Sequence, residues 1–339
     1  MPRFDIINKN EEQSKHEKWK ISRKSTITNE ILNKKGSLEA ATIISIIGKN
    51  YKVQIDANQK IIECRRAGKM TIGHNHSQII ATGDKVIIEL SNKSEELSTI
   101  VQVLNRSTCL SRNSIYGNKE DVIAANADKL LIVVAAADPF YNKRLIDRML
   151  IAADMGGLQA AICVNKIDLM PIDFLMNDME VYKKLGIDVF QISVHQQSNL
   201  SAIQEFVSNS TTIFSGQSGV GKSSLLNLLY GNSIQKILEI SDRSGKGRHT
   251  TSNASIIRID KDTAIIDTPG IREFGLWGIE TEELALMFDD FEEYRENCKF
   301  VHCTHIHEPK CAVKEAVESN LIDPERYQSY LNIYESLKK

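Results

Sequence analysis

The run GQSGVGKS at 216–223 restricts the fold more than any other feature of the chain. It satisfies G-x-x-x-x-G-K-[ST], follows the apolar run TTIF and precedes the helix-forming SSLLNLLY. A loop of that kind works only where a strand ends and a helix begins. There, backbone N–H groups of a helix N-terminus converge on phosphate oxygens. Gly216, Gly219 and Gly221 let the backbone curl, with Gln217, Ser218 and Val220 as the intervening loop positions. Lys222 supplies a cation for β and γ phosphates, and Ser223 a hydroxyl for Mg²⁺, with Ser224 beside it. A parallel sheet flanked by helices is therefore expected around this loop.

The surrounding sequence has that rhythm. KLLIVVAAA, LQAAICV, IDVFQIS, TTIFSG, ASIIRID and TAIIDT read as strands. Between them, helical patterns run from an Asn142 cap to Met155, from Asp173 to Leu185, from Leu200 to Val207 and from Lys222 to Tyr230. Residues 37–104 differ. ATIISIIG, YKVQID, IIECRRAG, KVIIEL and STIVQVL are short β-rich runs separated by Gly, Asn and Asp. They suggest a small all-β barrel, and spacing alone fits an OB-like or an SH3-like one. After about 280 the chain reads helical. The expected division is a basic tail at 1–36, a barrel at 37–104, a nucleotide-binding domain at 105–279 and a helical unit at 280–339.

Further motifs fall at the ends of predicted strands. NKID at 165–168 follows AAICV. The Asp168 carboxylate can accept from N1–H and the exocyclic amino group of guanine, a donor pair adenine lacks. Asn165 can reach the base edge and tie back to the phosphate loop, while the Lys166 stem packs on the base. DTPG at 267–270 follows TAII. Asp267 is placed to hold Mg²⁺ through water, and the Gly270 N–H to sense a γ-phosphate. Between the phosphate loop and DTPG lies SDRSGKGRHTTSNAS, where Thr250 or Thr251 could ligate Mg²⁺. ISVHQQSN resembles the remaining base-contacting motif, with Ser193 in its serine position and Val194 where Ala is usual. These are guanine-nucleotide motifs, but N-K-x-D precedes the phosphate loop instead of following it. A parallel sheet tolerates such a permutation when the original termini lie close together.

The cluster CKFVHCTHIHEPKC supplies Cys298, Cys303, His305 and Cys311, spaced C-x4-C-x-H-x5-C. Three thiolates and one imidazole suit a closed structural Zn²⁺ site. His302 and His307 are rival ligands by position. Cys64, Cys109 and Cys163 are scattered and read as small buried hydrophobes.

Composition excludes other classes. The formal net charge of −2, with 25% charged residues, argues against general nucleic-acid binding, so any such surface must be local. The tail at 1–36 carries nine Lys/Arg against five Asp/Glu. The loop from Gln235 to Arg258 carries Lys236, Arg243, Lys246, Arg248 and Arg258 against Glu239 and Asp242. No apolar run reaches the roughly 18 residues that span a bilayer. The opening MPRFDIINKNEEQSK has no apolar leader region. A cytoplasmic protein without a membrane partner, acting as a monomer, is expected.

Taken in order, NKID, GQSGVGKSS, GRHTT, DTPGI and C-x4-C-x-H-x5-C resemble the circularly permuted, small-ribosomal-subunit-dependent GTPases known as the RsgA or YjeQ family. The likeness runs from about residue 37 to 335 and includes VIAANADKLLIVVAAADPFYNKRLIDRML at 122–150. It implies a multi-domain α/β chain: an N-terminal OB barrel, a permuted P-loop GTPase domain and a C-terminal zinc domain. It also implies GTP hydrolysis to GDP, stimulated by the small ribosomal subunit in its late maturation, with rRNA contacts. The barrel segment CRRAGKMT departs from the family's Arg-Gly turn at Ala67. Ile271 stands where Ras-type enzymes carry a water-orienting Gln. His249, within GRHTT, is the internal candidate for positioning that water, with Lys222 as the catalytic cation.

Overall fold

A computed structural model describes residues 38–72, 80–91, 97–114, 117–231, 254–271 and 274–338. Strands β1 (Leu38–Ile47), β2 (Asn50–Ile55), β3 (Ile61–Ile72), β4 (Lys85–Glu89) and β5 (Ser98–Val103) form the first unit. Their order is β1-β2-β3-β5-β4, and β4 pairs back onto β1, closing a five-stranded barrel. The β3–β5 pairing is parallel and the others antiparallel. This closed arrangement is that of an OB fold and decides between the two barrels that spacing allowed. Alternation explains the filling: Ala41 and Ile43, Val53 and Ile55, and Val86 and Ile88 point inward at period two. Each fully buried Val or Ile contributes about 1.5–3 kcal/mol.

A hairpin of β6 (Cys109–Asn113) and β7 (Glu120–Ala125) follows as its own two-stranded sheet. CLSRN and EDVIAA lack a clean apolar alternation, so local pattern does not announce this hairpin.

The nucleotide-binding unit carries β8 (Lys129–Ala135), β9 (Gln159–Asn165), β10 (Asp188–Gln191), β11 (Thr211–Gly216), β12 (Ser255–Arg258) and β13 (Ala264–Asp267). Their order is β10-β9-β8-β11-β13-β12, parallel except for β12. β12 also pairs with β1 at Ser45 and Ser255, so barrel and sheet are hydrogen-bonded to one another. The unbroken apolar run of β8 is explained by burial on both sides. Leu130, Ile132 and Val134 enter one core, and Leu131, Val133 and Ala135 the other.

Helix α1 (Lys143–Gly156) is capped by Asn142, whose side chain accepts from the Arg144 N–H, and stops at Gly157 with φ 71°. α2 (Ile172–Lys184), α3 (Ser201–Val207) and α4 (222–231) complete the unit. α3 and α4 cover one face through Ile203, Phe206, Leu225 and Leu226. α1 covers the other, and its core runs on into Phe288, Phe291, Tyr330 and Ile333 of the C-terminal region.

That region contains α5 (Ala312–Glu318) and α6 (Pro324–Leu337). Asp323 caps α6, accepting from the N–H groups of Glu325 and Arg326 at 2.8 and 3.0 Å. Inside the junction with α1, Arg326 donates to Asp147 at 2.6 Å and to Asp290 at 2.9 Å. Tyr182 of α2 donates to the same Asp147 oxygen at 3.0 Å. Burial alone favours the neutral forms of Asp147 and Arg326, but the two carboxylates hold the guanidinium charged.

Candidate functional site

The phosphate loop leaves the end of β11 and turns into α4 at Lys222. Its conformation needs glycine at Gly221, where φ is 93° and a Cβ would lie 2.3 Å from Asn165 Nδ2. Lys222 is buried, and its ammonium lies 2.6 Å from Asp267 Oδ1 while also donating to the Thr268 carbonyl. Lys222 and Asp267 therefore neutralise one another at the bottom of the loop, where a phosphate would compete for the lysine. Ser218, Ser223 and Ser224 are exposed, Gln217 half-buried and Val220 buried in the core beneath.

DTPG is laid against this loop by sheet register. Asp267 of β13 stands opposite Phe214 of β11. The Thr268 hydroxyl donates to the Phe214 carbonyl at 2.9 Å, and the Ile271 N–H donates to the Gly216 carbonyl at 2.9 Å. Gly270 approaches Ser218 so closely that a Cβ would lie 3.0 Å from its backbone N. Thr268 is a positioning residue whose role comes from these cross-strand bonds and not from its place in the motif. The Ile271 side chain is buried in the core beneath α1, so nothing at that position faces the phosphate site.

The base-side motifs meet the same loop. Asn165 ends β9, and its amide is used at both ends: Nδ2 donates to the Val220 carbonyl at 2.9 Å, and Oδ1 accepts from the Val194 N–H at 3.1 Å. Lys166 adopts φ 61° and its ammonium donates to the Asp138 carbonyl. No side-chain pattern could have revealed that partner, because it is a backbone oxygen. Ser193 donates to Asp168 Oδ1 and accepts from the Gln196 N–H at 3.0 Å. The Ser193 hydroxyl holds the Asp168 carboxyl below its ordinary range, keeping it an acceptor. Asp168 is exposed, as a base-reading group must be. So NKID, the Ser193 turn, the phosphate loop and DTPG form one site at the carboxyl ends of β9, β11 and β13.

His249, Thr250 and Thr251 lie outside the described residues, as do Arg243, Lys246, Arg248 and the tail at 1–36.

The second site is the Cys/His cluster. The ligand atoms of Cys298, Cys303, His305 and Cys311 lie within 4.8 Å of one another. Cys298 Sγ is 3.8 Å from Cys311 Sγ and 3.5 Å from His305 Nδ1, which is 3.4 Å from Cys311 Sγ. A tetrahedral ion with metal–sulfur arms of about 2.3 Å has sulfur–sulfur edges of about 3.8 Å, so the donor set fits such an ion. Burial lowers His305 to about 4, leaving a neutral imidazole at pH 7. His305 sits at φ 58°, with its carbonyl accepting from the Tyr327 hydroxyl at 2.6 Å. His302 and His307 are exposed and lie outside the group whose ligand atoms converge.

Comparison with known proteins agrees with this geometry. The RsgA GTPase family model matches residues 103–277. The small ribosomal subunit biogenesis GTPase RsgA of Chlorobaculum parvum is 36% identical over 305 residues, spanning 88% of this chain and 98% of the relative. Its namesake from Yersinia pseudotuberculosis is 34% identical over 314 residues, spanning 90% and 87%. Among solved structures, YjeQ from Thermotoga maritima superposes with a TM-score of 0.66 at 27% identity, covering 88% of this chain and 98% of that one. YloQ, described as a circularly permuted GTPase, gives 0.64 at 29% identity, covering 90% and 97%. With its motif order, its closed barrel and these matches in agreement, the chain belongs to the RsgA GTPase family.

Proposed function

We propose that the protein hydrolyses GTP to GDP and phosphate in the late maturation of the small ribosomal subunit, which stimulates it through rRNA contacts. The observation that carries this reading is the bond from Asn165 to Val220, which joins the guanine motif to the phosphate loop.

Each group has a role in the reading. Asp168 accepts from the guanine N1–H and amino group, and Ser193 keeps it oriented. Asn165 holds the base motif against the phosphate loop, and the Lys166 stem lies along the base. Backbone N–H groups from Gly216 to Gly221 cradle the phosphates, and Lys222 exchanges Asp267 for the β and γ phosphates. Ser223, water bound to Asp267, and Thr250 or Thr251 are the groups that would hold Mg²⁺, which neutralises charge developing between the β and γ phosphates. The Gly270 N–H reports the γ-phosphate. His249 orients the attacking water. With the Ile271 side chain buried, hydrolysis in isolation is slow, and rRNA contacts made by the basic stretch between the phosphate loop and β12 raise the rate. Hydrolysis then releases the protein from the particle.

The Cys/His cluster holds one structural Zn²⁺ and leaves no position for substrate. The working units are the barrel at 37–104, the GTPase domain at 105–279 and the zinc unit at 280–339. No helix among the described residues is long and apolar enough to cross a membrane. We place the protein in the cytoplasm, acting as a monomer. Phosphate release from GTP, with and without purified small ribosomal subunits, tests the reading.

A further inference from the structure

Two exposed large apolar side chains in the described residues are sequence neighbours, Phe300 at 43% and Val301 at 80% exposure. They lie in the four-residue loop between Cys298 and Cys303, whose two ends both belong to the converging Cys/His cluster. A short loop held at both ends has little freedom left to lose, so presenting a ring there costs a partner little ordering entropy. Neither side chain contributes to the core under the cluster, which is made by Phe291, Tyr330 and their neighbours.

Within the loop and the segment bonded to it the exposed charges are cationic. Lys299 is exposed, and its ammonium lies 5.5 Å from the Phe300 ring centroid. The Lys299 N–H donates to the Lys310 carbonyl at 3.3 Å, bringing a second exposed lysine alongside. From 299 to 310 the only carboxylate is Glu308. It is turned inward, accepting from the Thr304 N–H and hydroxyl at 2.9 and 2.7 Å and from the Ile306 N–H at 3.1 Å. Its side chain is 13% exposed, so the loop shows solvent an aromatic ring flanked by cations.

We infer that the Cys298–Cys303 loop is a stacking platform for an unpaired base of single-stranded RNA, with Phe300 as the platform and Lys299 and Lys310 on the flanking phosphates. An aromatic ring beside cations is the combination that binds single strands without sequence readout, because every base has a π-face and every nucleotide a phosphate. A duplex keeps its bases stacked and offers the ring nothing. The inference rests on the RNA-contacting reading above and assigns it a site and a strand state.

The test uses the full-length chain and fluorescein-labelled RNA, a 12-mer of uridines and a duplex of equal length, at fixed salt. Phe300→Ala should bind the single strand roughly five- to 150-fold more weakly, the span of one lost base stack. Its zinc content and GTP affinity should stay at wild-type values. Phe300→Trp should retain binding, and its added fluorescence over Trp19 and Trp277 should be quenched by the single strand but not by the duplex. Lys299→Ala should reduce the salt dependence by about one phosphate contact. Wild-type single-strand affinity in Phe300→Ala, or equal quenching by the duplex, overturns the proposal. Intact oligonucleotide binding with lost small-subunit binding in Phe300→Ala also overturns it, in favour of a protein partner. Subunit-stimulated hydrolysis, measured separately, reports on the wider reading.

Discussion

The Asn165 side chain donates to the Val220 carbonyl at 2.9 Å across a sequence separation of 55 residues. In an unpermuted GTPase the two motifs occur in the opposite order, yet the bond requires only that two strand ends be near each other. β9 and β11 lie on either side of β8, and that placement survives the permutation. Asn165→Ala removes two bonds made by a buried amide and leaves Val220 and Val194 without their partner. At about 1–3 kcal/mol for each of the two unmet groups, GTP affinity should fall at least about 30-fold. Gly221→Ala should be at least as severe, because its Cβ would collide with the same amide. Equilibrium binding of a fluorescent GDP analogue checks both.

Base choice follows from the Asp168–Ser193 pair. The wild type should bind GTP and GDP far more tightly than ATP. Asp168→Asn should shift preference toward xanthine nucleotides, since the amide matches a carbonyl in place of N–H donors. Ser193→Ala removes the hydroxyl that orients the carboxylate and should weaken guanine binding without changing the preference. Competition among GTP, ATP and XTP measures all three, and equal ATP and GTP affinity in the wild type would contradict the assignment.

The Cys/His cluster should hold about one zinc per chain. Cys311→Ser should lose most of that zinc and destabilise chiefly the region around α5 and α6. Metal analysis after chelator-free purification provides the check, with hydrogen exchange locating the loss.

Much of this architecture is legible from local pattern, because local pattern is what builds it. The continuous apolar runs of β8 and β9 announce strands buried on both faces, and the phosphate loop fixes the junction of β11 with α4. What escapes is set by distant pairings. The barrel type depends on the parallel β3–β5 ladder and the β4–β1 closure, neither of which is encoded in strand spacing. The β6–β7 hairpin hides because its strands are short and partly polar. The Asp147–Arg326 pair spans 179 residues, and each partner alone looks like an ordinary charge on a helix.

That last pair gives a stability prediction. Arg326→Leu leaves Asp147 and Asp290 facing each other without their cation. Breaking a buried pair on one side costs about 3–5 kcal/mol. The variant should unfold at clearly lower temperature or denaturant, and Asp147→Leu combined with Arg326→Leu should recover part of the loss. Urea unfolding followed by tryptophan fluorescence and circular dichroism reads the difference.

In the proposed function a slow GTPase is switched on by the small ribosomal subunit. The most direct measurement is phosphate release from GTP with and without purified small subunits across a salt series, with Lys222→Ala as the inactive control. Release should be slow from the protein alone, strongly stimulated by subunits with a steep decline as salt rises, and absent in Lys222→Ala. Replacing Arg243, Lys246 and Arg248 by Ala should blunt stimulation while sparing GTP affinity, and His249→Ala should lower the stimulated rate. Rates unchanged by small subunits at every salt concentration, or full turnover in Lys222→Ala, would contradict it.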